Sequence, residues 1–330
     1  LLAGQTRSAT LMSFGFQPAL SAWSPFHGGI YAVIEALARL AASGGDITRA
    51  HLTLQEYFPK PGRDPRRWGL PFAALLGAFT AQRELGVAAI GGKDSMSGSF
   101  KDLDVPPTLV AFAVALADAR AVLSPEFKKA GSRVVLLPLP RDEREMPDWA
   151  AFKRNCARVS DLARRNKLLA AQSLHAGGLA EALAKMGFGN RLGFDFAAKI
   201  AAEELLAPAI GSLGVEVDQS EDTSAFFAGT GFRLLGETLA EPVIRVNGLE
   251  LALDDLRAHW EKPLEGVFPT RAAAAANGSA GFERPLFRQR PARRSGRAVA
   301  RPRVLITVFP GTNNEYDVAR AFEAAGAVPD

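Results

Sequence analysis

Segments typical of helices and of strands alternate along the first 120 residues, and this alternation constrains the fold more than any other feature of the sequence. A helix is predicted from Ser24 to Gly45, because Ser24 and Pro25 form an N-cap and first-turn pair and apolar residues then recur at helical spacing. The same criteria predict, in order, a strand, a helix and two strands at 51–58, 71–86, 87–90 and 108–118. This order predicts an α/β fold.

After residue 120 the strand and helix signals continue in a less regular order. Strands are predicted at 133–140 and around LLAAQSL, separated by a helix that contains Trp149 and Leu162. A sharp turn at Gly177–Gly178 opens a further helix, and three strand-like segments follow, as in a mixed α+β layer. Further on, RVLITVFPGTNNEYDVARAFEAAGA predicts a strand, a turn and a helix, the first βα unit of another α/β domain.

The positive charge of the chain is concentrated in one segment. Residues 271–303 contain nine arginines and one glutamate, whereas the rest of the chain has 30 basic and 34 acidic residues. The segment is rich in Ala, Arg, Gly and Pro without an apolar period, which is typical of a solvated linker. A nucleic-acid-binding arm is the alternative, since clustered arginines neutralise phosphates. No aromatic stacking surface or recognition helix accompanies the arginines, so we expect no nucleic acid as a partner.

Composition argues against several other classes of protein. A chain of 330 residues with 48% hydrophobic residues is typical of a globular protein with two ordinary domains. No apolar run reaches the roughly 18 residues of a membrane span, and the first residues lack the pattern of a signal peptide, so we expect a cytoplasmic protein without membrane contact. Cys156 is the only cysteine, which excludes an intrachain disulfide and favours a passive thiol over a nucleophile.

The segment AAIGGKDSMSGSF, residues 88–100, places two glycines, a lysine, an aspartate and serines directly after a predicted strand. Glycines there let backbone N–H groups turn toward an anion, the lysine supplies a positive charge, the aspartate can hold Mg²⁺, and hydroxyls can donate to phosphate oxygens. A tight turn with a surface Lys–Asp pair explains the composition equally well. The candidate phosphate-binding residues are Gly91, Gly92, Lys93, Asp94, Ser95 and Ser97.

Two further places could bind a phosphate or a metal. In SLHAGG, the residues His175, Gly177 and Gly178 precede a helix whose N-terminus could face an anion. A turn histidine beside two conformationally required glycines is the simpler alternative. Glu35 could ligate Mg²⁺ from its helix, but Arg39 lies four residues on, so that an ordinary i,i+4 ion pair explains it as simply.

These motifs, taken in order, resemble a known enzyme family. The segments ATLMSFGF, VIEALARLAASGGD, LTLQEYF, PFAALLGAFTAQRELG, GGKDSMSG and LLAAQSLHAGGLAEALAKMGFGN resemble the second synthase half of phosphoribosylformylglycinamidine synthase. The segment VLITVFPGTNNEYDVARAFEAAGA resembles the start of that family's class I glutaminase domain. The resemblance covers nearly the whole chain apart from the arginine-rich linker, and its most specific part is GGKDSMSG followed downstream by FPGTN.

The resemblance implies a fold and a domain order. The fold would be that of aminoimidazole ribonucleotide synthetase, in which an α/β domain contributes strands to a shared barrel and a second α/β domain follows. Two such units would pair, with nucleotide and substrate between them. The implied parts are an incomplete barrel-forming domain, an α/β domain, a linker and a truncated glutaminase start, at 1–120, 121–268, 269–302 and 303–330.

The resemblance also implies an activity. Members of the family convert formylglycinamide ribonucleotide into its amidine in purine biosynthesis, using ATP to activate the amide oxygen and ammonia drawn from glutamine to displace the phosphate. The chain is therefore expected to be part of an ATP-dependent carbon–nitrogen ligase, with ATP and Mg²⁺ as cofactors. Its expected partners are formylglycinamide ribonucleotide, ATP, glutamine-derived ammonia, and the first synthase half and glutaminase domain of the same protein.

Two departures from the family pattern concern the metal. Ser173 stands where members that hold a structural nucleotide carry an Asp, and Arg39 stands where they carry an Asn, whereas Glu35 is kept as the one predicted metal ligand. These departures argue against a Mg²⁺–nucleotide in this half. The chain lacks an initiator Met and the glutaminase's catalytic elbow, so we expect it to be a fragment that neither hydrolyses glutamine nor forms amidine alone, and we assign no catalytic residue.

Two other functions remain open at this point. One is another ATP-dependent enzyme of the same fold, such as aminoimidazole ribonucleotide synthetase or a selenophosphate or hydrogenase-maturation relative, although the FPGTNN unit argues against it. The other is a non-catalytic half that braces the active synthase half and docks the glutaminase. The departures at Ser173 and Arg39 favour this second possibility for the nucleotide site.

Overall fold

The computed structural model describes residues 7–270 and 299–330, which belong to two compact units that divide after Thr270. The first unit begins with a four-stranded sheet, its helices and a small hairpin. These elements are β1 (Ser8–Gly15), α1 (Pro18–Trp23), α2 (Pro25–Ala42), β2 (His51–Tyr57), α3 (Pro65–Leu85), β3 (Ala88–Lys93), β4 (Ser99–Phe100), β5 (Leu103–Asp104) and β6 (Thr108–Asp118).

The four-stranded sheet has the order β1-β6-β2-β3. Strand β6 runs antiparallel to β1 and to β2, while β2 and β3 are parallel and are therefore joined by the crossover helix α3. Every second residue of β6 from Leu109 to Ala115 is buried, so one face of the sheet packs against helices and the other does not.

Helix α2 forms the centre of the first unit. The Ser24 side chain accepts a hydrogen bond from His27 N at the start of the helix, and Pro25 occupies the first turn. Fourteen of the 18 residues of α2 are buried, as expected for a helix that is apolar on nearly all sides. It packs against α3 and against strands of both sheets, so the two sheets share one core, with Leu52 contributed by the first sheet and Val135 by the second.

Helix α3 begins six residues before the predicted start at Pro71. The Asp64 side chain accepts from Arg66 N at 2.9 Å and Pro65 follows it, which together form an N-cap and first turn. The prediction treated Pro71 as the helix start, but Pro71 lies inside the helix. Tertiary packing of the buried face of α3 on α2 tolerates the proline there.

The second half of the first unit contains a seven-stranded sheet of order β13-β12-β9-β11-β7-β10-β8, in which only the β9–β12 pair is parallel. Its elements are β7 (Arg133–Leu137), α4 (Trp149–Arg164), β8 (Ala170–Ser173), α5 (Gly178–Phe188), β9 (Gly193–Phe196), α6 (Ala202–Leu206), β10 (Leu213–Val217), α7 (Thr223–Phe226), β11 (Arg233–Leu239), β12 (Val243–Val246), β13 (Leu249–Ala252) and α8 (Leu253–Glu261).

The second unit, within its described residues 299–330, is a small strand–helix–strand motif. Two short parallel strands flank one helix: β14 (Arg303–Val304), α9 (Glu315–Ala324) and β15 (Val328–Pro329). The predicted helix is confirmed, but the predicted strand through RVLITV is shorter than expected, and a second strand pairs with it. Asn314 begins the helix in the left-handed region, with φ of 67°.

The mixed α/β architecture predicted from the sequence is confirmed for the first unit. The position 120/121 lies between the last strand of the four-stranded sheet and the first of the seven-stranded sheet. The domain boundaries remain predictions, and most of the predicted linker at 269–302 lies outside the described residues. Among the residues that the structure describes, no helix combines the length and the apolar character needed to cross a bilayer.

Candidate phosphate-binding site

The glycine–lysine segment lies partly in a strand and partly in a loop. The prediction placed a loop directly after residue 90, but β3 continues to Lys93, which is paired with Gln55 of β2. The register between the two strands shifts at Ile90, so one extra residue is accommodated there as a bulge. The loop proper therefore begins at Asp94.

Gly92 is required by the close approach of two strands. A Cβ atom at this position would lie 2.2 Å from the carbonyl oxygen of Leu54, well inside van der Waals contact. No atom lies within 4 Å of the position that a Cβ would take at Gly91. Of the two glycines predicted to serve a phosphate, Gly92 thus has a structural reason for its presence and Gly91 has none from packing.

Backbone hydrogen bonds hold the loop after Lys93 against β2 and the residue that follows it. Ser95 N donates to Glu56 O at 3.1 Å, Phe58 N donates to Ser95 O at 2.9 Å, and Gly98 N donates to Phe58 O at 2.9 Å. The hydroxyl oxygens of Ser95 and Ser97 lie 2.8 Å apart. The loop is therefore held in one conformation that brings two hydroxyl groups together, which we name the phosphate loop, residues 94–98.

The lysine before the phosphate loop is exposed at the end of the sheet. Because Lys93 and Gln55 are directly paired, their side chains share one face of the sheet, and Glu56, the next residue of β2, points to the other face. Within residues 7–270, no carboxylate forms an ion pair with Lys93. Its charge is therefore available to an anion, and the phosphate-binding role of Lys93 stays a prediction.

The face of the four-stranded sheet that carries Lys93 is largely apolar and exposed. Its exposed residues include Met12, Phe14, Tyr57 and Leu116, with Ile90 at the bulge beside them, and Met12 and Ile90 are each more than 70% exposed. Contiguous exposed apolar surface on a globular protein is typical of an interface with another protein or domain. Lys93 thus lies at the end of an exposed apolar surface of the kind that is typical of interfaces.

Glu56 lies on the opposite, buried side of the sheet and was not singled out from the sequence. Its residue is 4% exposed, and Oε1 has no hydrogen-bond partner among the described residues. Burial, with a smaller contribution from the negative charge of Asp94, raises the pKa of Glu56 to about 7. The alternation in HLTLQEYF contains the signal, because Glu56 falls in phase with the buried Leu52 and Phe58.

The second predicted group, His175 with Gly177 and Gly178, lies at the start of α5. Gly178 has φ of 63°, in the left-handed region, and Gly177 N donates to the Glu181 carboxylate at 3.0 Å. The carboxylate of Glu181 therefore already accepts from Gly177 N, one of the N-terminal donors of the helix that were predicted to face a bound anion. Ser173 Oγ lies 3.4 Å from His175 Nε2.

Glu35 of α2 is buried and surrounded by donors. Its Oε2 accepts from Phe16 N at 2.9 Å and from Gln17 Nε2 at 2.8 Å, and its Oε1 accepts from Arg39 Nη2 at 2.6 Å. His175 Nδ1 lies 2.9 Å from the same Oε1. Burial opposes ionisation, but these donors outweigh it and lower the pKa of Glu35.

The surroundings of Glu35 do not fit Mg²⁺. A hard cation needs free oxygen lone pairs, and here both carboxylate oxygens already accept from N–H donors, one of them on a guanidinium. Nowhere in the described part of the chain do three or more His, Cys, Asp or Glu side chains form a cluster that could hold a metal, so a cation at any position would need water or phosphate oxygens to complete its coordination. The i,i+4 ion pair with Arg39, one of the two alternatives left open by the sequence, is present.

The structure thus separates the predicted site residues into two groups. The six residues from Gly91 to Ser97 lie along β3 and the phosphate loop, whereas His175 contacts Glu35 beside a cavity of about 340 Å³ that Arg39 and Ser173 also line. No hydrogen bond or ion pair between described residues joins the two groups. Cys156 is buried, and burial raises the pKa of its thiol, in agreement with a passive role.

Comparison with known proteins addresses the predicted resemblance. No family model matches the chain. Among curated proteins, phosphoribosylformylglycinamidine synthase subunit PurL of Thermoplasma volcanium is 24% identical over 282 residues, 77% of this chain and 37% of that protein. The corresponding subunit of Methanosarcina barkeri is 28% identical over 221 residues, 61% of this chain and 30% of that protein.

The predicted resemblance is confirmed. The solved structure of T. maritima PurL complexed with AMPPCP matches with a TM-score of 0.62 and 17% identity, over 87% of this chain and 49% of that one. The same protein complexed with FGAR matches with a TM-score of 0.62 and 15% identity, over 76% of this chain and 46% of that one. Thiamine-monophosphate kinase of Stenotrophomonas maltophilia matches with a TM-score of 0.51 and 14% identity, over 75% of this chain and 88% of that one.

These likenesses establish the fold of the first unit. PurL and thiamine-monophosphate kinase share the mixed α/β architecture described above, as the sequence predicted. The chain spans about a third of the length of the curated relatives it matches. The predicted glutaminase start at 303–330 remains a prediction.

Proposed function

We propose that this chain forms one synthase half of a phosphoribosylformylglycinamidine synthase, an ATP-dependent carbon–nitrogen ligase of purine biosynthesis. The names of the curated relatives support this proposal, and so do the FGAR and AMPPCP complexes of the matching PurL. The reaction would convert formylglycinamide ribonucleotide into its amidine, with ATP activating the amide oxygen and glutamine-derived ammonia displacing the phosphate. The observation that carries the proposal is the unpaired Lys93 at the end of β3, followed in the chain by the two neighbouring hydroxyls of the phosphate loop.

The phosphate loop would hold the phosphate of a ribonucleotide. Lys93 supplies a positive charge that no described carboxylate neutralises, and Ser95 and Ser97 supply hydroxyl donors. Because three backbone hydrogen bonds already hold the loop against β2, little conformational entropy is lost when an anion binds. The loop would therefore position the substrate, and its residues have no bond-breaking role.

The exposed apolar face of the four-stranded sheet would be covered by the first synthase half. Its exposed side chains, such as Met12 and Ile90, are the kind that an obligate interface buries. In such a pair, Lys93 at the end of that face would lie at the boundary between the halves, where a shared substrate site is expected. The βα unit at 303–330 would begin the glutaminase domain that supplies ammonia.

A non-catalytic bracing half is the second candidate, and one observation favours it. Glu35 accepts hydrogen bonds from Arg39, Gln17 and the backbone, so a Mg²⁺–nucleotide is not supported there. Under this alternative, this half would bind neither nucleotide nor substrate phosphate. ATP and Mg²⁺ would then be held by the other half alone.

Binding of formylglycinamide ribonucleotide to the chain, measured by isothermal titration calorimetry, separates the two candidates. The double variant Lys93→Ala, Ser95→Ala should bind at least tenfold more weakly than the parent chain, because a charge-assisted contact and a hydroxyl donor are lost, about 1.5–3 kcal/mol. Lys101→Ala, which removes another exposed lysine of the same region, is the matched control. Equal affinity of the double variant and the parent chain would favour the bracing role.

A further inference from the structure

Glu56 is a buried carboxyl group whose negative charge is compensated by no side chain of residues 7–270. It lies on β2 opposite Leu109 of β6, and the residue is 4% exposed. No described residue donates a hydrogen bond to its Oε1, and no lysine, arginine or histidine forms an ion pair with it. A buried carboxyl without donors is costly unless a proton or a metal cation supplies the missing positive charge.

Asp94 of the phosphate loop adds a second carboxylate beside Glu56. The hydrogen bond from Ser95 N to Glu56 O continues the parallel register from the Gln55–Lys93 pair, so Asp94 lies beside Glu56, and its negative charge contributes to the raised pKa of Glu56. The hydrogen bonds from Ser95 N to Glu56 O and from Phe58 N to Ser95 O hold the loop against β2, so the two carboxyl groups cannot easily move apart. In the part of the chain that the structure describes, Asp94 also has no basic partner.

Two neighbouring carboxylates are a donor set that suits a hard divalent cation. Mg²⁺ is usually held in proteins by one or two carboxylates, with water and phosphate oxygens completing an octahedron. Lysine is not an alternative partner here, because Lys93 shares the opposite face of the sheet with Gln55.

We propose that Glu56 and Asp94 form a divalent-cation site suited to Mg²⁺, in which the buried Glu56 and the exposed Asp94 meet at the start of the phosphate loop. The cation would neutralise both carboxylates and tie the loop to β2 from the side opposite Lys93. The site differs in location and residues from the neighbourhood of Glu35, where both carboxylate oxygens already accept hydrogen bonds. It does not depend on the function proposed above, because it concerns the cation alone.

Titration of Mn²⁺ with the full chain, followed by the electron paramagnetic resonance signal of free Mn²⁺, tests the proposal. We expect one saturable site from which Mg²⁺ displaces Mn²⁺. Glu56→Gln and Asp94→Asn should each weaken binding at least tenfold, because each removes one of two anionic ligands. Asp102→Asn, which neutralises an exposed carboxylate between β4 and β5, should bind Mn²⁺ as the parent chain does.

The circular dichroism spectra of the variants must first match that of the parent chain, and their unfolding midpoints must show that they are folded. We expect this because Gln and Asn are nearly isosteric with Glu and Asp. The proposal is overturned if the parent chain has no saturable Mn²⁺ site. The negative charge of Glu56 and Asp94 would then be reduced by a proton and not by a cation. The proposal is equally overturned if Glu56→Gln binds Mn²⁺ with the parent affinity, because the ion would then be held by surface carboxylates alone.

Discussion

Glu35 and Glu56 are both buried glutamates of the same core, yet their surroundings are opposite. Glu35 accepts hydrogen bonds from a backbone N–H, an amide and a guanidinium, and its pKa is lowered. Glu56 has no donor to Oε1 and has Asp94 as its charged neighbour, and its pKa is raised to about 7. Burial alone therefore does not mark a ligand-binding carboxylate, because the donors around it decide whether it is already satisfied.

The difference has a simple origin in the two elements. On helix α2, Arg39 lies one turn after Glu35 and folds back onto it, and the chain from β1 presents Phe16 and Gln17 to the other oxygen. On strand β2, Glu56 is in phase with buried apolar residues and lies opposite Leu109, and the phosphate loop that is bonded to it contributes a second acid. A buried carboxylate that accepts hydrogen bonds from the protein stabilises the fold, whereas one without donors is available to a ligand.

Removing the Glu35 carboxylate should have the largest effect on stability. Glu35→Ala leaves Arg39, Gln17 and a backbone N–H without their acceptor in a buried place, so the free energy of unfolding should fall by about 4 kcal/mol. Urea unfolding measures it, with the exposed Glu203→Ala as the control. A loss below about 1 kcal/mol would mean that Glu35 is not the structural acid of this pair.

Neutralising Glu56 should change the pH dependence of stability. Because the folded pKa lies above the unfolded value of 4.5, the folded state binds more protons between these values, and stability falls as pH rises from about 4.5 through 7. In EDTA, the parent chain should lose up to about 3 kcal/mol over this range through Glu56, and Glu56→Gln should lack that loss. Glu84→Gln, on an exposed position of α3, is the matched control, and an unchanged pH profile in Glu56→Gln would contradict the account.

The smallest expected effect concerns the strand that positions the phosphate loop. Gly92→Ala places a Cβ against the Leu54 carbonyl oxygen and should reduce the free energy of unfolding by about 2 kcal/mol, because backbone must shift. Gly91→Ala meets no atom within 4 Å and should be nearly neutral. Thermal unfolding of both variants provides the comparison, and equal midpoints would show that β3 is not held closely against β2.

Much of the fold follows from local sequence signals, whereas the site required tertiary information. The cap at Ser24 and the apolar run TLVAFAVALAD predict α2 and β6 correctly as a helix and a strand, because these signals act within a few residues. The start of α3 was wrong, since Pro71 was treated as a first-turn residue when Asp64 and Pro65 perform that role.

The contacts of the candidate site were less accessible to sequence analysis. His175 and Glu35 were treated as separate candidates, and their 2.9 Å approach depends on how β8 packs against α2, which no local pattern reports. Glu56 could have been found, because a glutamate in phase with buried apolar residues of a strand is exceptional. The proximity of Asp94 to it depends on the loop folding back over β2, and that requires the structure.

The most direct test follows the carboxyl ¹³C signals of Glu35 and Glu56 in the full chain as Mg²⁺ is added, with each signal assigned by its Gln variant. The account predicts that Mg²⁺ shifts the Glu56 signal in a saturable way and leaves the Glu35 signal unchanged. A shift of the Glu35 signal while the Glu56 signal stays constant would contradict it.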